Sequence, residues 1–251
     1  MERTSVEAAR SECGGGLRLS LLDGFDLRLD GGAVALSVGA ERLVAFLALH
    51  LHPVQRPYVA GTLWPETSEQ RAFANLRSCL WRVKRPGIPL VIAANRRLAL
   101  APRVQVDYRE SSLVAQRLMH DHAAAPVTES NLTLLTRTLL PDWYDDWVLL
   151  EREYHRQLCL LALESLAQRL AAVESAAALE CALAAVALEP LRESAHRTVI
   201  EIHLATGNLC EALRQYRLFR RVLASRLGLE PSPALRAVMS PVLGDAAVTL
   251  R

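Results

Sequence analysis

The sequence predicts a mainly helical protein of two domains, a small mixed domain of strands and helices followed by an all-helical one. Three observations carry that prediction. Short alternating runs are confined to roughly the first hundred residues, whereas helical periodicity dominates afterwards. Leu and Ala together occupy 83 of the 251 positions, a composition that favours helix. Aromatic residues make only 5% of the chain and β-branched residues are sparse, which excludes a mostly β protein. With 51% hydrophobic and 22% charged residues the chain can bury one or two cores, so disorder over its whole length is excluded.

In the first half, residues 17–22 and 25–29 alternate around Asp23-Gly24, a two-residue hairpin turn. Gly31-Gly32 then leads into a short extended piece, 33–37. Leu43, Val44, Leu47 and Leu51 recur at helical spacing, Pro53 and Pro57 punctuate a turn, and a short helix over about 58–63 ends at Trp64-Pro65. Thr67 or Ser68 is placed to cap a third helix, with Glu69 near its positive end. That helix runs to about Arg85 and stops at Pro86-Gly87; its expected inward stripe is Ala72 or Phe73, Leu76, Leu80 and Val83. Residues 89–93 and 98–101 flank Asn95-Arg96-Arg97 as a second hairpin. Strands, three helices and a hairpin form the order of a winged helix-turn-helix with small β-sheets.

After Val106-Asp107-Tyr108 the pattern is nearly all helix, with 121–131 the most loop-like stretch. Helices are expected over about 146–172, 176–188, 192–205 and 209–226, separated by Pro190, Gly207-Asn208, and Gly228 followed by Pro231 and Pro233. Ala178-Leu179 recurs as Ala212-Leu213, an offset of 34 residues, the tetratricopeptide period. His203, Gly207, Ala212 and Tyr216 fall at that repeat's characteristic spacings. The alternative is an ordinary Ala-rich bundle. The division expected is a flexible tail (1–16), a winged helix-turn-helix DNA-binding domain (17–106), a tetratricopeptide-like helical domain (107–240) and a C-terminal tail (241–251).

The formal charge of +2 names no partner, but its distribution does. Between Leu63 and Arg103 stand eight basic residues, Arg71, Arg77, Arg82, Lys84, Arg85, Arg96, Arg97 and Arg103, against Glu66 and Glu69, so +6 lies in one segment and −4 in the rest. Arg71, Asn75, Ser78 and Arg82, at i, i+4, i+7 and i+11, share a helical face away from the Leu76/Leu80 stripe. These side chains suit a major-groove reader: arginine for guanine edges and phosphates, asparagine for adenine. Arg77, Lys84 and Arg85 add phosphate contacts, and Arg96 and Arg97 at a hairpin tip can reach a minor groove or the backbone. The competing reading is the solvated face of a protein with 28 arginines and a single lysine.

Other chemistry is weaker. His50/His52 and His120/His122 lack the further ligands a metal site needs, so no metal or cofactor is expected. No phosphate-loop, nucleophile-elbow, zinc-protease or dinucleotide motif occurs. Asp142, Asp145 and Asp146 cluster with Trp143, Tyr144 and Trp147 at a helix start, where negative charge is favoured. Capping and packing are therefore preferred over catalysis, and no enzyme is expected. The polar N-terminus ending in Gly14-Gly15-Gly16, the absence of a long apolar run and five scattered cysteines lead to an expectation of a cytoplasmic, nucleoid-associated protein without membrane contact.

Several runs carry a resemblance. Leu140-Pro141-Asp142-Trp143-Tyr144-Asp145-Asp146-Trp147-Val148, Glu151-Arg152-Glu153, Glu189-Pro190-Leu191-Arg192-Glu193-Ser194-Ala195-His196-Arg197, Glu211-Ala212-Leu213-Arg214-Gln215-Tyr216 and Leu227-Gly228-Leu229-Glu230-Pro231-Ser232-Pro233 resemble the bacterial transcriptional activator domain. Residues 74–85 look like the recognition helix that precedes this domain in the Streptomyces antibiotic regulatory protein family. The N-terminal strands and the surroundings of Trp81 match that family only loosely. The resemblance implies an activator that binds direct repeats in double-stranded promoter DNA and recruits RNA polymerase. It further implies regulation of secondary metabolism, and self-association as a homodimer or DNA-assembled oligomer through the helical domain. A scaffold whose tetratricopeptide-like helices bind protein, with little DNA affinity, is the rival reading.

Overall fold

The computed structural model describes residues 16–84, 89–120 and 128–248, with side chains to Val242. Arg85, Asp121 and His122 lie outside the described residues, as does the expected N-terminal tail apart from Gly16. The chain divides into two compact units. One takes the residues up to Glu110 together with Thr138–Arg152, the other Ser111–Arg137 and the chain from Glu153.

The first unit opens with β1 (Leu17–Ser20), β2 (Asp26–Leu29) and β3 (Gly32–Ala33), joined later by β7 (Val104–Val106) in a sheet of order β3-β2-β1-β7. β1 runs antiparallel to β2, with Leu19 opposite Leu27, and parallel to β7. Leu17, Leu19, Leu27, Val104 and Val106 are buried while Arg18, Arg28 and Gln105 face out, the period of two that a half-buried sheet requires. The β1–β2 connection is longer than a two-residue turn, because the Asp107 carboxylate accepts from the amides of Leu21 (2.8 Å) and Leu22 (3.2 Å) and draws them out of the ladder. Asp23 and Gly24 still make the reversal, at φ of 64° and 139°.

Helix α1 (Val38–Leu49) is the centre of this unit, with Ala40 and every residue from Leu43 to Leu49 buried. It ends before Leu51, which is exposed. The Arg109 guanidinium donates to the carbonyls of Ala48 (2.8 Å) and His50 (2.8 Å), satisfying acceptors left over at that helix end. The aromatic and acidic cluster at 142–147 packs here. Leu22 bridges Leu139, and the Leu140 amide donates to the Leu21 carbonyl at 2.9 Å. Trp143 stacks on Phe25 with centroids 6.1 Å apart, and Trp147 meets Phe46 edge-on at 5.3 Å. Asp145 pairs with Arg42, and Arg152 donates to the carbonyls of Leu139 (2.7 Å), Leu140 and Trp143 (2.8 Å). Asp145, Trp143 and Trp147 are thus engaged in packing, whereas Asp142, Tyr144 and Asp146 are exposed.

The second unit is built from α4 (Asp107–His120), α5 (Glu129–Thr136), α6 (Asp146–Leu170), α7 (Ser175–Leu188), α8 (Glu193–Ala205), α9 (Leu209–Leu227) and α10 (Pro233–Val248), α4 and α6 having their first turns in the other unit. α7, α8, α9 and α10 pack in succession. Ala178, Ala182, Ala185, Ala195 and Ala212 are fully buried, so the helices approach closely through small residues, as the 34-residue repeat predicts. Gly207 (φ 76°) and Gly228 (φ 66°) supply the left-handed residues at two of the breaks. α10 runs on through Val248, into the stretch expected as a tail. Glu164, nearly buried on α6, accepts from Arg192 through both oxygens (2.9 Å each) and from Ser194 (2.6 Å). His196 lies against Phe219 at 4.4 Å; its Nε2 donates to the Pro190 carbonyl and its Nδ1 accepts from Gln215. Among the described residues no helix is long and apolar enough to cross a membrane.

Candidate nucleic-acid interface

The helix pair consists of α2 (Arg56–Leu63) and α3 (Glu69–Val83). Pro57 at the start of α2 fits the first turn, where an amide hydrogen is not needed. The turn between the helices is held by Thr67, whose hydroxyl donates to the Trp64 carbonyl at 3.1 Å. Ser68 occupies the N-cap of α3, and its carbonyl accepts from the Ala72 amide at 2.9 Å; its side chain makes no cap bond. Glu69 in the first turn and Arg82 in the last both complement the helix dipole.

The buried stripe of α3 is Ala72, Leu76, Cys79 and Val83. Cys79 therefore takes the inward place expected of Leu80, which is only half-buried. The reason lies on α1: a β-carbon on Gly39 would come within 2.9 Å of the Cys79 sulfur, so the missing side chain at Gly39 admits the thiol. Burial pushes the Cys79 thiol up from its usual pKa, which keeps it neutral.

This phase moves the outward face. At about 100° per residue, Arg71, Asn75, Ser78 and Arg82 lie roughly a quarter turn from the stripe, and the ridge farthest from it is Gln70, Ala74, Arg77 and Trp81. Arg71, Arg77, Ser78, Arg82 and Lys84 are exposed and Asn75 is half-buried. Trp81, which the sequence places within the 74–85 run without a role of its own, stands on this ridge and is 79% exposed. Trp81, Arg82 and Lys84 line one hollow with Leu36 and Ser37.

The hairpin is β5 (Val91–Ala94) and β6 (Arg97–Leu100), with β4 (Val54–Gln55) completing a sheet of order β4-β6-β5. Asn95 and Arg96 both have positive φ (49° and 62°), the pair of left-handed residues that a tight hairpin turn uses. Arg96 thus holds a place that glycine favours, and its carbonyl accepts from the Arg56 amide at 3.0 Å. Arg97 is not at the tip; it opens β6 opposite Ala94 and Gln55. Arg96 and Arg97 share a second hollow with Asn95, Gln55, Arg56, Pro57 and Phe73 of α3, so the hairpin arginines lie beside the helix pair. Among the described residues Arg71, Arg77, Arg82, Lys84, Arg96 and Arg97 have no ion-pair partner, whereas Arg42 and Arg192 do. Of the histidines singled out in the sequence, His50 bonds the Phe46 carbonyl at 2.8 Å and packs on that ring.

Residues 107–243 match the family model described as the bacterial transcriptional activator domain. No curated protein matches the sequence. A solved structure of Mycobacterium tuberculosis EmbR in complex with a low-affinity phosphopeptide is similar in fold, with a TM-score of 0.67 at 20% identity. The match covers 92% of this chain and 66% of that one. The architecture is a winged helix-turn-helix followed by a helical domain, as the sequence predicts. With the activator-domain model spanning more than half of its length, the chain belongs to the bacterial transcriptional activator domain family and is a transcription regulator rather than an enzyme.

Proposed function

We propose that this protein is a sequence-specific activator that binds direct repeats in double-stranded promoter DNA and recruits RNA polymerase, regulating secondary metabolism. One observation carries the reading: eight basic residues against two acidic ones in a single segment, with those of α3 and the hairpin exposed and free of ion-pair partners among the described residues. Phosphate contacts from Arg77, Lys84, Arg85, Arg96 and Arg97 supply salt-dependent affinity, and Arg71, Asn75, Ser78 and Arg82 supply discrimination. Residues 17–106 supply the reading helix and hairpin. Residues 107–240 meet polymerase and a second copy, as a homodimer or an assembly formed on DNA, in the nucleoid-associated cytoplasm.

The test is promoter-fragment binding across a salt series, with fragments taken from genomic footprinting. Log affinity should fall steeply with log salt, and Arg82→Ala should cost on the order of 1–3 kcal/mol if Arg82 reads a base. No promoter enrichment, or binding indifferent to salt, sinks the reading and favours a protein-binding scaffold.

A further inference from the structure

We infer that Trp81 reads a thymine methyl group in the major groove, an apolar contact set within the basic face of α3. The inference rests on the DNA-binding reading above and names the base-edge chemistry that its outermost ridge takes.

A single exposed hydrophobic residue needs no explanation by itself. Trp81 differs through its position. It is 79% exposed, the largest apolar group on the surface of α3, and stands on the ridge farthest from Ala72, Leu76, Cys79 and Val83. Arg77 lies one turn before it on the same ridge, Ser78 and Arg82 lie beside it, and Lys84 shares its hollow. A basic surface of this sign brings a polyanionic duplex to the ridge, and whatever the ridge meets first meets the indole. Ala74, the preceding apolar residue of the ridge, is small and exposed, so nothing on the helix shields the ring.

The edges of the base pairs in the major groove present hydrogen-bond donors and acceptors with one apolar exception, the C5 methyl of thymine. The phosphates offer an indole face nothing apolar and already suit the flanking arginines, and the deoxyribose carbons are the same at every step and carry no sequence information. The thymine methyl is therefore the group that rewards a large apolar ring here. Burying one methyl is worth about fourfold in affinity.

The test uses the full-length protein and a duplex selected by it from a random library. Each thymine of that duplex is replaced singly by deoxyuridine, which removes only the methyl. Wild-type protein should lose about fourfold at one or two positions. Trp81→Ala should bind the thymine duplex more weakly and show no further loss with deoxyuridine. Trp81→Phe should keep part of the thymine preference, and Arg77→Ala should weaken both duplexes alike. Far-UV circular dichroism checks that the variants fold, as an exposed position allows. The inference is overturned if Trp81→Ala binds as wild type, if both proteins lose equally at every deoxyuridine, or if no deoxyuridine weakens wild-type binding. A wild-type protein that enriches no duplex would instead sink the DNA-binding reading itself.

Discussion

His155 makes the helical unit sensitive to mild acid. It is 2% exposed on α6, with its Nε2 3.0 Å from the Ser111 hydroxyl and 3.6 Å from the Cys159 sulfur. Burial holds its pKa down at about 4, against an ordinary 6.5. Between those values the unfolded chain takes up a proton that the folded unit refuses. The unfolded state then binds more protons, so stability falls as pH falls. The contribution of neutral His155 is complete above about pH 6.5 and disappears progressively toward pH 4. At 1.36 kcal/mol per pH unit this amounts to about 3 kcal/mol, a large share of a typical 5–15 kcal/mol margin. Urea unfolding from pH 7 to 4.5, followed by far-UV circular dichroism, measures it. All four tryptophans, Trp64, Trp81, Trp143 and Trp147, belong to the first unit, so their fluorescence serves as an internal control. His155→Gln can still hydrogen-bond but cannot titrate there. His196, also lowered by burial, titrates in the same direction, so only the difference between wild type and variant isolates His155. Glu153, held near 2 by hydrogen bonds from Arg156 and then Gln157, acts only at lower pH. Parallel pH profiles for wild type and His155→Gln would refute the reasoning.

Three other predictions concern single positions. Glu164→Ala leaves the Arg192 guanidinium without its bidentate partner and should cost about 3 kcal/mol, whereas Glu164→Leu combined with Arg192→Met should recover most of that in urea unfolding. Gly39→Ala improves helix propensity by about 1 kcal/mol but drives a β-carbon against Cys79; tryptophan-monitored unfolding should show a net loss of about 1–2 kcal/mol, turning to a gain on a Cys79→Ala background. Arg96→Gly relieves a left-handed arginine and should stabilise by about 1 kcal/mol, while weakening DNA binding and reducing the salt slope by about one. A stabilised variant with undiminished affinity removes Arg96 from the interface.

What could be read in the sequence was local. Gly207, Gly228 and Pro190 stop helices through their own backbone properties, so α7, α8 and α9 fall within a residue or two of their expected bounds. Asn95 likewise announces the hairpin turn. The misplaced features depend on partners distant in sequence. Leu80 outranks Cys79 in hydrophobicity, yet the thiol goes inward because Gly39, forty residues earlier, leaves room for it. That quarter-turn difference in phase moved the outward ridge toward Trp81. The β1–β2 turn was misjudged because Asp107, over eighty residues on, binds the Leu21 and Leu22 amides. The Trp143–Trp147 cluster was recognisable as packing, but nothing local named Phe25 and Phe46 as its neighbours.

The interrupted path of the first unit sets an order on the protein's birth. A chain emerging N-terminus first has made all of α1, α2, α3 and both sheets by Val106, yet Phe25, Phe46 and Arg42 still await Trp143, Trp147 and Asp145. By the time Arg152 appears, residues 111–137 of the other unit are already made. The two units therefore cannot mature strictly one after the other, as separately encoded domains do. The same holds for grafting: a hybrid regulator joined at residue 106 exchanges an unfinished first unit, and one that carries 138–152 along exchanges a whole one.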